Sequence, residues 1–147
     1  MITVKQLLDK KGHDYWYVNS DTTVFNALQI MAEKDVGALM VLDNKKLIGM
    51  FSERDYARKI ILHGKSSKDS IVSDYMTKLM VTVNPDSTIN DCMALMTEKR
   101  VRHLPVLDKN EITGIITIGD VVNAIIHEQD ITIKDLENYI TGSGYGA

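Results

Sequence analysis

The sequence predicts a mixed α/β fold: two β-α-β-β-α repeats packed sheet to sheet about a pseudo-two-fold axis. Two observations predict it. Residues 18–55 align with residues 83–120 without a gap, at a constant offset of 65, and 14 of the 38 pairs are identical. The identities include Asp21/Asp86, Thr23/Thr88, Glu33/Glu98, Asp43/Asp108, Gly49/Gly114 and Asp55/Asp120. Within each copy the apolar residues pass from helical spacing to short strand runs and back. Three short strands with one apolar face cannot bury themselves in ~60 residues, so each copy needs the other.

The elements follow in order. Thr3–Leu8 and Ser73–Met76 are short helical lead-ins, and Thr3 with Gln6 fits a capping box. Val18 and Val83 mark short leading strands. Thr22 or Thr23, and Ser87 or Thr88, are N-cap candidates for the first helix of each copy. Val24, Ala27, Leu28 and Met31 then fall at i, i+3, i+4 and i+7, as do Ile89, Cys92, Met93 and Met96. Ala38–Leu42 and Leu104–Leu107 are buried strands. They turn at 43–46 and 108–111 and return as Leu47–Phe51 and Ile112–Ile116. Helices start near Ser52 and Thr117. Ile131–Ile140 reads as an amphipathic helix, and 142–147 as a frayed end. The division expected is 1–68 for the first repeat with its lead-in and linker, 69–130 for the second, and 131–147 for a C-terminal helix and flexible tail.

Composition narrows the function. The chain has 147 residues, 44 % hydrophobic and 25 % charged, the balance of a soluble globular protein. A net charge of -3 with four arginines argues against nucleic acid as partner. The start of the chain lacks a secretory h-region, and no apolar run approaches the ~20 residues of a membrane span. One cysteine, Cys92, sits in an apolar helix stripe and reads as core. These features lead us to expect a cytoplasmic protein with no membrane contact. His13, His63, His103 and His127 have no metal spacing with each other or with Cys92. No nucleophile–base–orienter set and no phosphate-cradling P-loop is visible, so no catalytic residue is assigned and no enzyme is expected.

The strongest local signal occurs twice: Gly49-Met50-Phe51-Ser52-Glu53-Arg54-Asp55 and Gly114-Ile115-Ile116-Thr117-Ile118-Gly119-Asp120. A hydroxyl followed three residues later by a carboxylate is a capping box variant. The same geometry suits a ligand. A helix N-terminus favours an anion, and an aspartate there can accept both hydroxyls of a ribose.

Two such units, with Arg102-His103-Leu104-Pro105-Val106-Leu107-Asp108 in the second central strand, resemble a tandem pair of CBS domains, a Bateman module. The resemblance covers roughly residues 2–130. It implies adenosine-containing ligands (AMP, ADP, ATP or NAD, with S-adenosylmethionine derivatives in the wider family) held in clefts between paired repeats. Carried over by position, Asp55 and Asp120 accept ribose, with Ser52 and Thr117 as hydroxyl partners. Tyr17-Val18 and Thr82-Val83 line the adenine. Val36-Gly37-Ala38 and Val101-Arg102-His103 are strand edges, and Pro105, Ile116 and Ile118 complete the second set. Arg54 and Arg58, at i and i+4, can face one anion. The copies depart from each other where phosphate is expected. Arg102 and His103 stand where the first copy has Gly37 and Ala38, so two unequal affinities are expected, with His103 titrating near pH 6.5.

The function this implies is a non-enzymatic regulatory module that signals to an unidentified effector protein. Exposed Ile60, Ile61, Leu62, Ile125 and Ile126 on the motif helices point to a homodimer. The alternatives are a dimerising scaffold without a physiological nucleotide, and a nucleic-acid-binding protein. The duplicated Ser52/Asp55 and Thr117/Asp120 pairs speak against the scaffold.

Overall fold

In the first repeat, β1 (Tyr17–Asn19) runs parallel to β2 (Ala38–Asp43), and β2 pairs antiparallel with β3 (Lys46–Ser52). The computed structural model describes residues 1–78 and 81–141. The 142–147 tail lies outside the described residues. Between β1 and β2 lies α2 (Val24–Lys34), capped by Thr23 and ended by Asp35 in the left-handed conformation. The β2–β3 turn places Asn44 and Lys45 at φ 50° and 65°, the type I′ geometry that matches strand twist. After β3 come α3 (Glu53–Lys59), short 3-10 turns at Ile61–His63 and Ser67–Asp69, and α4 (Val72–Tyr75). Val24, Met31, Leu39, Val41, Phe51 and Ile60 are among the side chains that close this core.

The second repeat repeats this order: α5 (Ile89–Lys99), β4 (His103–Asp108), β5 (Glu111–Thr117) and α6 (Ile118–Thr141). Thr88 caps α5, and Lys109 and Asn110 have positive φ in the second I′ turn. Among the described residues its leading strand is one parallel bridge, Val83 to Val106. The reason is Pro105. In the first repeat Met40 N–H donates to the Trp16 carbonyl and extends the β1 ladder, whereas the proline at the matching position has no N–H to give.

Packing divides the chain differently from sequence order. One compact unit is Asp14–Thr82; the other joins Met1–His13 to the chain from Val83 onward. The lead-in α1 (Val4–Lys11), whose Thr3/Gln6 capping box forms, therefore belongs with the second repeat. Val4 N–H donates to the Ser87 carbonyl and Ile89 N–H to the Ile2 carbonyl. The segment at α4 plays the same part for the first repeat, where Val72 N–H donates to the Thr22 carbonyl and Val24 N–H to the Ser70 carbonyl.

Two sequence expectations are corrected. Ile131–Ile140 is helical as expected, but the helix begins earlier, as part of α6, because no glycine or proline interrupts the chain between Gly119 and Thr141. Ile60 is fully buried, so it closes the core of its own unit and is not on an outer face. Cys92 is buried as expected, and burial pushes its thiol pKa up to about 11, which leaves it unreactive. No described helix is long and apolar enough to cross a membrane.

Candidate ligand site

Each repeat builds the same corner where its last strand becomes a helix. In the first, Ser52 is the N-cap of α3, and its Oγ accepts from Asp55 N–H at 3.1 Å. Asp55 Oδ2 accepts in return from Ser52 N–H and from Ser52 Oγ, both at 3.0 Å. In the second, Asp120 N–H donates to Thr117 Oγ1 at 3.2 Å and Thr117 N–H to Asp120 Oδ2 at 2.9 Å. The capping box read from sequence is therefore present in both motifs.

Strand register brings the neighbouring candidates to these corners. Ala38 pairs with Ser52, and Glu53 N–H donates to the Gly37 carbonyl at 3.0 Å. His103 pairs with Thr117, and Ile118 N–H donates to the Arg102 carbonyl at 2.9 Å. Gly37 and Arg102 are exposed, Ala38 is buried, and His103 and Ile118 are half-buried. Tyr17 and Thr82 are exposed, whereas Val18 and Val83 are buried. Pro105 and Ile116 lie in the core. Arg54 and Arg58 project from α3 into solvent without an ion pair among the described residues.

The motif glycines explain themselves by close approach. A Cβ on Gly49 would meet Met76 Sδ at 2.6 Å and the Thr77 carbonyl at 3.0 Å. One on Gly114 would meet Leu8 Cδ2 at 2.9 Å. Each glycine thus lets a lead-in segment lie against the strand that carries the motif. Among the described residues no group of His, Cys, Asp and Glu is disposed to hold a metal ion.

The CBS domain profile matches residues 3–62 and 72–127. This chain belongs to the CBS domain family. The CBS domain-containing protein CBSX3, mitochondrial, of Arabidopsis thaliana is 38 % identical over 152 residues, covering 97 % of this chain and 73 % of that protein. The solved CBS domain NE2398 superposes with TM-score 0.81 at 48 % identity, covering 84 % of this chain and 97 % of that one. The CBS domain pair of MJ0100, solved with 5′-methylthioadenosine and S-adenosyl-L-methionine, gives TM-score 0.74 over 84 % of this chain and 98 % of its own. At 21 % identity that likeness concerns the fold alone.

In this CBS pair the two motif aspartates differ in their surroundings. Asp55 Oδ1 is held by Lys59 Nζ at 3.0 Å, with Thr77 Oγ1 at 3.4 Å, so both of its oxygens are engaged. Asp120 pairs with Lys11 from α1 through Oδ2, the oxygen that also takes Thr117 N–H. No donor reaches Asp120 Oδ1 among the described residues. The Asp120 side chain is 24 % exposed and that of Asp55 12 %. Lys11 also donates to the Ile115 carbonyl, and Lys59 to that of Tyr75.

Neither lysine was among the sequence candidates. Lys59 carried a signal, since it stands one turn after Asp55 on the same helix. Lys11 carried none, because its partner is 109 residues away.

His103 shares the Asp120 corner with Lys11 and Arg102. Burial lowers its pKa first, Lys11 and Arg102 lower it further, and Asp120 opposes them. The expected titration near pH 6.5 therefore moves to lower pH. Lys11 and Arg102 are the cationic side chains that act on His103.

Proposed function

We propose that this CBS-domain pair is a non-enzymatic regulatory module that binds an adenosine-containing ligand and passes the ligand's state to a partner protein. The candidates are AMP, ADP, ATP and NAD. The observation that carries this reading is the Thr117–Asp120 corner. A half-exposed carboxylate has one unoccupied oxygen among the described residues, fixed at a helix start beside Arg102, His103 and Lys11. A vicinal diol suits the carboxylate, and an anion suits the cations and the helix N-terminus. The MJ0100 pair, which shares this fold, is named with adenosine ligands of its own.

The two corners are proposed to bind unequally. The first has Gly37 and Ala38 where the second has Arg102 and His103, and its aspartate is already saturated. The molecule is proposed to work as a homodimer. Exposed Ile61, Leu62 and Ile126 are its apolar contacts, with Leu62 78 % exposed.

Calorimetric titration with AMP, ADP, ATP and NAD tests the reading. Binding of at least one, with two affinities and loss of the tighter in Arg102→Ala, is the expected result. Absence of binding by all four at millimolar concentration overturns it in favour of a dimerising scaffold.

A further inference from the structure

Lys11 does more at Asp120 than a surface lysine does. Its ammonium is tied on both sides, to the Asp120 carboxylate and to the Ile115 carbonyl at 2.8 Å. Its side chain is only 28 % exposed. A ribose diol that takes both carboxylate oxygens of Asp120 must displace the ammonium from Oδ2. The displaced cation keeps the Ile115 carbonyl but loses its counter-charge, in a corner where Arg102 also acts on His103 as a cation. A partly desolvated cation without a counter-charge is costly. A ligand that brings its own anion removes that cost; one with a neutral or cationic 5′ substituent does not.

We propose that Lys11 is the specificity-determining residue of the second-repeat corner, selecting phosphorylated adenosine ligands over adenosine and over sulfonium or thioether derivatives. This rests on the adenosine-binding reading above and names its ligand class. It also gives α1 a role in the binding equilibrium, because the contact that ribose breaks is one of those between α1 and the motif.

The test is calorimetric titration of AMP and of adenosine into the wild type, Lys11→Met, Lys11→Arg and Lys10→Met, with melting temperatures measured alongside. Lys10 neighbours Lys11 on α1, is exposed, and removes the same charge. Wild type should prefer AMP over adenosine by about tenfold or more, the worth of one charge-assisted contact. In Lys11→Met that preference should fall about tenfold, with adenosine binding retained or tightened. Lys11→Arg and Lys10→Met should keep it. An unchanged preference in Lys11→Met, or equal proportional loss of both ligands, overturns the selectivity role. If wild type binds neither ligand, the adenosine reading itself falls and the inference with it.

Discussion

Leu8 occupies the space where a side chain on Gly114 would begin: a Cβ there would lie 2.9 Å from Leu8 Cδ2. The matching contact in the other unit is harder, since Gly49 faces the backbone carbonyl of Thr77 at 3.0 Å as well as Met76. Met50 N–H also donates to that carbonyl. A leucine end can rotate away; a hydrogen-bonded carbonyl cannot. Gly114→Ala should therefore cost about 1 kcal/mol and Gly49→Ala about 2–3 kcal/mol. Urea denaturation of both variants checks the order. Leu8→Ala combined with Gly114→Ala should recover part of the overpacking term in a double-mutant cycle.

Asp55 and Asp120 should separate stability from binding. Asp55 caps α3 with both oxygens engaged, so Asp55→Ala should lower stability by about 1–2 kcal/mol. Asp120→Ala loses a smaller set of contacts and should cost about 0.5–1 kcal/mol. It should weaken nucleotide binding by about 2–3 kcal/mol, from two hydrogen bonds to a charged acceptor. Thermal melts and calorimetry on the two variants decide this. Equal melting losses without any change in affinity would reduce both residues to helix caps.

His103 sets an acid limit on the second-repeat unit. Its folded pKa is below its unfolded value, for which burial is the largest cause, then Lys11 and Arg102 against Asp120. The unfolded chain therefore binds the proton first as pH falls below about 6.5. The stabilisation is complete above that pH and is lost as pH drops through the lower folded value. His103→Gln should flatten this dependence. Melting temperatures of wild type and variant across pH 7.5 to about 4.5 measure it, and parallel curves would refute it.

Oligomerisation should depend on residues that the core does not use. Leu62→Glu and Ile126→Glu remove exposed apolar surface and should convert a homodimer to monomer in light scattering without lowering the melting temperature of the monomer. Ile60→Ala should instead destabilise the fold by about 2–5 kcal/mol, since Ile60 is fully buried.

What was legible in the sequence was whatever is settled within one repeat. The Thr23 and Thr88 caps, the I′ turns and the Ser52/Asp55 and Thr117/Asp120 boxes join residues a few positions apart, so type and spacing disclose them. The membership of α1 was not legible. Its apolar face, Val4, Leu7 and Leu8, fits any complementary surface, and long-range bonds such as those to Ser87 and Pro85 choose one. The Lys11–Asp120 pair was hidden for the same reason. The extent of α6 was missed because a repeat boundary was read into a helix that nothing in its sequence interrupts.

The placement of α1 sets an order of assembly during synthesis. Asp14–Thr82 is contiguous, so it can close while the ribosome is still making the rest. The other unit cannot, because α1 emerges well before Ser87, Ile89 and β5, the partners it needs. Until then Val4, Leu7 and Leu8 stay exposed on a helix too short to persist alone. The late contacts span most of the chain and carry the higher loop-closure cost. Refolding should accordingly show a faster phase for Asp14–Thr82 and a slower one that Leu8→Ala retards. The corner that holds Lys11 and Asp120 would then be the last part of the molecule to be completed.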